Sequence, residues 1–239
     1  LSMLMTVIAA FVGGLICIYA VGYMKAYHHH HTEYRNRTGF FLSMLFLFLG
    51  AMFGLVLSGN LVWMYFFWEI TSVISFLLIG YTRTEEAVHN SFRALWMNLL
   101  GGLGFAIAIA VSAATLGTVQ LEEVVRVGAP IPIALLALAG LTKSAQLPFS
   151  SWLLGAMVAP TPSRALLHIR LSPAMAGTMG GTMVSLIGGF TFIACSMMAI
   201  AQNDGKKVLA FSTISNLGLI VACAGIGKEE TIWAAVLLM

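Results

Sequence analysis

Residues 61–80 read LVWMYFFWEITSVISFLLIG, an apolar run with a single charge, Glu69, in its middle. A helix needs about 20 apolar residues to cross a bilayer core. A second run, residues 131–145, reads IPIALLALAGLTKSA and carries Lys143 near its end. A charge at the bilayer centre costs at least about 2.5–3.5 kcal/mol. We therefore expect these two opposite charges to serve a function, as an ion pair, a proton relay or part of a cation path.

The composition is that of a membrane protein. Of the 239 residues, 59% are hydrophobic and 9% are charged, whereas soluble domains carry about 25% charged residues. The apolar runs lack period-2 alternation, which argues against a transmembrane β-barrel. We predict an all-α fold, a polytopic transmembrane helix bundle that forms one domain over residues 1–239. The predicted spans are Leu1–Met24, Gly39–Leu57, Leu61–Gly80, Leu95–Leu116, Ile131–Ala145, Met183–Ala201 and Leu209–Ile226.

Both ends of the sequence favour a piece of a longer membrane subunit. The chain starts at Leu1 without a methionine, and it ends at Met239 within an apolar run. We expect truncation at both ends. The cysteines are scattered in apolar runs without CxxC spacing, so neither a disulfide framework nor an iron–sulfur site is expected. No cofactor is expected in this chain, and any redox chemistry would belong to partner subunits.

The distribution of basic residues predicts the orientation in the membrane. The side that follows the first span, here called side A, holds more lysine and arginine than the opposite side B, so side A should be cytoplasmic. The count assumes a span between Pro162 and Pro173; without that span Lys206 and Lys207 change sides, and side A still leads. The side A residues are Lys25, Arg35, Arg37, Arg83, Arg93, Arg164, Lys206 and Lys207, and the side B residues are Arg126, Arg170 and Lys228.

The segment that follows Lys143 predicts a broken helix. Gln146-Leu147-Pro148 ends the apolar run, and Pro160 and Pro162 follow. Proline lacks the backbone donor that a helix needs, and broken helices at membrane depth line hydrated cavities or lie inside protein. Desolvation there favours the neutral form of a lysine and makes it a reversible proton carrier. The alternative is that Lys143 reaches the interface and Pro148 merely ends the span.

Several short motifs occur along the chain in a fixed order. They are FWE (67–69), FLLIG (76–80), TKSAQLP (142–148), APTP (159–162), ALLH (165–168) and KKVLAFSTIS (206–215). In this order they resemble the antiporter-like membrane subunits of respiratory complex I, Mrp-type cation/proton antiporters and energy-converting membrane-bound hydrogenases. The resemblance covers nearly the whole chain from Ile18 onward. It implies a fragment of a core of about fourteen helices with two inverted repeats.

The resemblance implies roles for particular residues. Glu69 matches the membrane glutamate of the family, and Lys143 matches the lysine on the broken helix; the two are expected to pair and separate as protons move. His168 matches the histidine that continues the proton relay towards the central axis. Ser144 and Pro148 belong to the lysine motif and are expected to support it. Arg93 lies near a position that is often basic in the family.

One departure from the family pattern lies directly after His168. About a dozen residues are missing before the Arg170-Leu171-Ser172-Pro173 turn, so that residues 163–169 cannot span a bilayer alone. Either the natural chain has lost half a helix or the sequence joins two separate pieces, and we favour the second. The missing helix would separate the Cα atoms of Ile169 and Arg170 by about 18 Å, against about 3.8 Å for bonded neighbours.

Three functions remain open at this point. The first is a proton- or sodium-translocating subunit of a redox-driven complex, such as an energy-converting hydrogenase or a complex I relative. The second is the large subunit of a Mrp-type antiporter, and the third is a structural anchor that does not pump. The expected partners are other membrane subunits, including a second antiporter-like subunit, and peripheral redox subunits. The expected location is a prokaryotic cytoplasmic membrane.

Overall fold

The computed structural model describes residues 2–31, 36–154 and 166–239. This part of the chain contains eleven helices and no strand, only one isolated backbone bridge between Asn60 and Gln120. The helices are α1 (Ser2–His30), α2 (Thr38–Leu57), α3 (Leu61–Ile79), α4 (Glu85–Leu116), α5 (Leu121–Val127), α6 (Pro130–Lys143), α7 (Ser151–Leu154), α8 (Leu166–Met175), α9 (Met179–Ile200), α10 (Gly205–Ile226) and α11 (Glu229–Leu237).

Six of these helices are long and apolar enough to cross a membrane, namely α1, α2, α3, α4, α9 and α10. The predicted polytopic helix bundle is therefore confirmed. The remaining predicted span, Ile131–Ala145, corresponds to α6, which has only 14 residues. Helix α4 begins at Glu85, well before the predicted Leu95. The Thr84 side chain accepts a hydrogen bond from the Ala87 N–H, and two glutamates in the first turn favour the positive end of the helix.

A left-handed backbone conformation at Ala145, and not a proline, ends helix α6. Helix α6 ends at Lys143, before Pro148. Ala145 has a left-handed φ of 53°, and the N–H groups of Ala145 and Gln146 donate to the carbonyls of Thr142 and Leu141. This is the hydrogen-bond pattern of a Schellman cap, which usually takes glycine at the left-handed position. The prediction of a broken helix is confirmed, but proline is not what ends it.

Helix α8 crosses only half of the bundle. Its ten residues rise about 15 Å, half of a hydrocarbon core of about 30 Å. Arg170 donates to the Ser58 carbonyl at 2.7 Å and to the Ser2 hydroxyl at 3.0 Å, so its charge lies with the start of α1 and the end of α2, on side B. Helix α9 then starts on side B, which leaves Lys206 and Lys207 on side A as predicted.

Ile169 and Arg170 are consecutive residues of α8. They are bonded neighbours here, and the separation of about 18 Å expected if a helix is missing between them stays a prediction for the natural protein. Ile169 is buried, and Arg170 is hydrogen-bonded to Ser58 and Ser2. Pro160, Pro162 and Arg164 lie outside the described residues. That the natural protein carries further residues here stays a prediction.

Candidate functional site

Glu69 lies on the face of α3 that meets α4. Its Oε1 atom is buried and has no hydrogen-bond partner within the described ranges. The carboxylate lies directly against Gly102, where an added Cβ would overlap Oε1. A buried carboxylate in an apolar helix bundle is costly, so α4 must leave room for it. The glycine provides that room, because every other residue would place a side-chain atom there.

Lys143 is the last residue of α6, and its side chain points at α3. The Nζ atom donates to the Ser72 hydroxyl at 2.8 Å and to the Trp68 carbonyl at 3.3 Å, and it lies 5.1 Å from the centre of the Trp68 ring. Trp68 and Ser72 flank Glu69 on α3, so the ammonium lies at the depth of the carboxylate. Lys143 and Glu69 attract each other electrostatically. The ammonium therefore points into the bundle and not to the membrane interface.

The end of α6 also favours a cation. The last carbonyls of a helix carry partial negative charge, and Lys143 lies in that last turn. The Thr142 carbonyl accepts hydrogen bonds from the Ala145 N–H and from Trp152 Nε1, the latter at 3.1 Å. Ser144 is fully buried and its hydroxyl donates to the Gly140 carbonyl at 2.7 Å. The break is thus closed by specific hydrogen bonds, as membrane depth requires.

A glycine pair on α4 connects the two charged helices. Gly102 faces Glu69 of α3, and Gly101 faces the hydroxyl of Thr142 on α6. A Cβ at Gly101 would overlap that hydroxyl and would lie 3.3 Å from the Ala139 carbonyl. Helix α4 therefore presents bare backbone to both partners, and α3 and α6 approach it closely enough for Lys143 to reach Ser72. Such small residues are typical of close helix contacts in membranes.

His168 is buried on α8 and packs against α6. Its side chain is fully buried, and neither ring nitrogen makes a hydrogen bond of ordinary geometry within the described ranges, although the Gly140 backbone lies close enough to interact with the ring. The ring packs on α6 at Gly140, where an added Cβ would lie only 2.6 Å from Nε2. Gly140 precedes Lys143 by one helical turn. The structure thus brings Glu69, Lys143 and His168 onto three neighbouring elements, α3, α6 and α8.

Further buried polar atoms surround these residues. Trp68 Nε1, Asn98 Oδ1 and Gln146 Oε1 are buried without a hydrogen-bond partner in the described part of the chain. Asn98 lies one turn before the glycine pair of α4, and Gln146 lies in the break after α6. Buried polar groups are almost always satisfied, frequently by internal water. These atoms therefore leave hydrogen-bonding capacity inside an otherwise apolar bundle.

The three supporting residues have different surroundings. Ser144 is part of the cap of α6. Pro148 is exposed and follows the end of α6. Arg93 is exposed on α4, and its Nη2 lies 3.0 Å from the Nε2 atom of His89. The structure gives Ser144 a clear structural contact, whereas it does not bring Arg93 to the glutamate or the lysine.

Sequence reasoning missed Ser72 and the role of Gly102. Ser72 lies three residues after Glu69, and residues three apart share a helix face, so this spacing was the available signal. Glycine is common at close helix contacts in membranes, but nothing in the sequence shows that Gly102 faces the glutamate.

Comparisons with known proteins show the family of this chain. The family described as NADH:quinone oxidoreductase/Mrp antiporter, TM, matches residues 58–239. The family described as NADH-Ubiquinone oxidoreductase (complex I), chain 5 N-terminus, matches residues 1–36. Na(+)/H(+) antiporter subunit A1 of Staphylococcus aureus (strain JH9) is 34% identical over an aligned length of 249, and the match covers 95% of this chain and 30% of the relative. This chain therefore spans about a third of that relative's length.

Two solved structures share the fold. The Mrp complex from Dietzia sp. DQ12-45-1b matches with a TM-score of 0.80 and 29% identity, over 99% of this chain and 28% of that chain. The membrane-bound sulfane sulfur reductase (MBS), an archaeal respiratory membrane complex, matches with a TM-score of 0.79 and 18% identity, over 99% of this chain and 52% of that chain. With two thirds or more of its length matched by the first family, the chain belongs to the antiporter-like transmembrane subunits shared by NADH:quinone oxidoreductases and Mrp antiporters.

Proposed function

We propose that this chain is the proton-carrying part of a Mrp-type cation/proton antiporter subunit, and that protons pass between Glu69, Lys143 and His168. The observation that carries the proposal is the position of the Lys143 ammonium, inside the bundle against α3 and beside Glu69. A lysine is a reversible proton carrier when its surroundings favour the neutral form as well as the charged one. The apolar bundle favours the neutral form, and Glu69 and Ser72 favour the charged one.

The proposed transfer follows from these opposing effects. A proton that arrives at Glu69 neutralises the carboxylate and removes the attraction that holds the ammonium at α3. The charged form of Lys143 is then less stabilised, and the ammonium passes a proton on to the next acceptor. His168, packed on α6 one turn away, is that acceptor, since an imidazole with two nitrogens can take a proton on one and release one from the other.

The relatives favour the antiporter over a redox-driven pump. The matched relative from S. aureus is named as a Na(+)/H(+) antiporter subunit, and the matched Dietzia structure is a Mrp complex. The similarity to the sulfane sulfur reductase is at 18% identity and supports the fold alone. We propose other membrane subunits as partners, including a second antiporter-like subunit, and a prokaryotic cytoplasmic membrane as the location. A redox-driven complex remains the second candidate because the matched family includes NADH:quinone oxidoreductases.

Transport in inverted membrane vesicles that contain the assembled complex tests the proposal. Addition of sodium should dissipate a preformed pH gradient in the wild type, and Lys143→Met should abolish this while the complex still assembles. Lys143→Arg should also impair transport, because arginine stays charged at every relevant pH. Normal transport by the arginine variant would contradict the carrier role. A gradient that responds only to an electron donor would instead favour the redox-driven complex.

A further inference from the structure

A separate cleft lies on side A, away from Glu69 and Lys143. Helix α2 begins there, α3 ends there and α4 begins there, and together they enclose a cleft of about 470 Å³. Clefts that hold small molecules measure about 300–1,000 Å³. Arg37 and Arg83 line the cleft, together with an apolar wall that includes Phe40, Phe76 and Phe92. The cleft therefore combines positive charge with an aromatic surface.

The two arginines lie at the level of the membrane surface. Arg37 directly precedes α2, and Arg83 lies in the turn between α3 and α4. Arg37 is held in place, because its Nη2 donates to the Tyr81 carbonyl at 2.6 Å and its guanidinium lies 5.6 Å from the centre of the Phe40 ring. Arg83 is exposed and has a left-handed φ of 57°. Neither Glu85 nor Glu86 is among the described residues that line the cleft.

The apolar wall runs from this level into the bilayer. Phe76 lies in the last turn of α3, and Phe92 lies in the second turn of α4; their rings meet edge to face with centroids 5.2 Å apart. Phe40 in the first turn of α2 is 36% exposed and Phe92 is 50% exposed. Large aromatic side chains that stay accessible at this depth face acyl chains in a membrane. The wall thus continues downward from the two positive charges.

We propose that this cleft binds an anionic phospholipid of the leaflet on side A, with its phosphate at Arg37 and Arg83 and an acyl chain along Phe76 and Phe92. Arginine recognises phosphate oxygens through paired, charge-assisted hydrogen bonds. The cytoplasmic leaflet, predicted to be on side A, is the one rich in anionic lipids, and basic clefts between helices on that side suit their head groups. A soluble phosphate would use the arginines but would leave the aromatic wall without a partner.

The charge requirement can be tested by lipid selection. The assembled complex is placed in nanodiscs of phosphatidylglycerol and phosphatidylcholine, and the lipids that stay bound after detergent extraction are quantified by mass spectrometry. The wild type should retain phosphatidylglycerol selectively. Arg83→Asn removes the charge while asparagine tolerates the left-handed backbone, and it should lower that selectivity about fivefold, as expected for one basic residue near an anionic surface. Arg126→Asn is the matched control, because Arg126 is an exposed arginine on side B, and it should change nothing.

Further arms separate a lipid from other occupants. Phe92→Ala should lower retention of phosphatidylglycerol while both arginines remain, because it removes part of the acyl-chain surface. Excess inorganic phosphate should not displace the lipid from the wild type; displacement would reduce the cleft to a simple anion site and overturn the proposal. Equal selectivity in Arg83→Asn and the wild type would also overturn it. So would efficient disulfide cross-linking of an Arg83→Cys variant to a neighbouring subunit, which would show that protein covers the cleft.

Discussion

The molecule uses glycine in two helix contacts of opposite character. On α4, Gly101 and Gly102 face polar side chains, the hydroxyl of Thr142 and the carboxylate of Glu69. Between α9 and α10, Gly188 and Gly218 face backbone atoms of the opposite helix. The first contact makes room for a charge, whereas the second brings two backbones together. Glycine thus accommodates a charged side chain in one contact and allows close backbone packing in the other. Substitutions should distinguish the two roles by their effects on transport and on stability.

The two contacts also differ in their hydrogen bonds, because serine side chains are bonded across the contact between α9 and α10. Ser196 and Ser215 share a hydrogen bond of 2.7 Å across the interface, and Ser185 donates to the Ala222 carbonyl at 3.0 Å. Around Glu69 and His168, by contrast, several buried polar atoms lack a partner within the described ranges. A paired contact stabilises one arrangement of two helices. Unpaired polar atoms leave hydrogen bonds that can be made and broken, as the proposed proton transfer requires.

The largest effect is expected from Gly188→Ala. The new Cβ would lie 2.5 Å from the Ala222 backbone nitrogen and 2.7 Å from the Gly218 carbonyl oxygen, and backbone cannot yield as a side chain can. We expect a loss of about 1–3 kcal/mol in stability, measured as a lower unfolding temperature of the purified complex. The adjacent Gly189→Ala is the control, since no atom lies within 4 Å of its added Cβ. Equal unfolding temperatures for the two variants would contradict the close backbone contact.

Gly102→Ala should affect transport more than stability. The added methyl group displaces the Glu69 carboxylate, which can swing aside at little packing cost but loses its position beside Lys143. We expect transport to fall about tenfold, which corresponds to about 1.4 kcal/mol, with normal assembly. Gly104→Ala on the same helix is the control, because its nearest atom, the Leu135 carbonyl oxygen, is at an ordinary 3.5 Å. If both variants transport equally well, the glycine does not position the carboxylate.

Ser72→Ala should have a smaller effect on transport. It removes the hydroxyl that accepts from Lys143 at 2.8 Å but leaves Glu69 and the Trp68 carbonyl. Because this hydrogen bond favours the charged lysine, the alkaline limb of the transport profile should move to lower pH. Among the described residues, Glu69 of α3 and His168 of α8 are the titratable groups on the elements packed around this end of α6, and α4 presents Gly101 and Gly102 to α6 and α3. Ser75→Ala should leave the profile unchanged, since that hydroxyl donates to the Thr71 carbonyl within α3.

A threonine at position 72 sharpens the same test. Ser72→Thr keeps a hydroxyl and should restore the profile of the wild type. A profile that moves equally for alanine and threonine would mean that packing at this position, and not the hydrogen bond to Lys143, sets the pH dependence.

The smallest effect is expected from Ala145→Gly. Ala145 is the left-handed residue of the cap after α6, a position at which glycine avoids the strain of a Cβ. Its Cβ is fully buried, so some packing is lost in exchange. We expect a gain in stability of at most about 1 kcal/mol, seen as a slightly higher unfolding temperature. A clear loss would show that the methyl contact outweighs the backbone strain.

The sequence was most informative where a residue is unusual for its surroundings. Glu69 and Lys143 stand out because charges are rare in apolar runs, and the bundle follows from the length of those runs. Ser72 and Gly102 do not stand out, since both residue types are common in membrane helices and acquire a role only through contact with another helix. The cap at Ala145 could not be predicted, because alanine seldom adopts a left-handed conformation.

The stretch after His168 shows a different limit. A family pattern indicates which residues a chain lacks, but it does not predict how the residues on either side of the gap are arranged. The structure continues one helix through Ile169 and Arg170. That the natural protein carries further residues at this point stays a prediction.

The shortness of α6 has a consequence for how the protein enters the membrane. Its 14 residues rise about 21 Å, less than the hydrocarbon core of about 30 Å, and its polar cap would meet lipid if it inserted alone. The translocation machinery reads segments largely by their own hydrophobicity, so α6 is a poor substrate by itself. We expect α3 and α4 to insert first and to form a preassembled wall against which α6 then packs. The order of synthesis along the chain delivers the helices in that sequence.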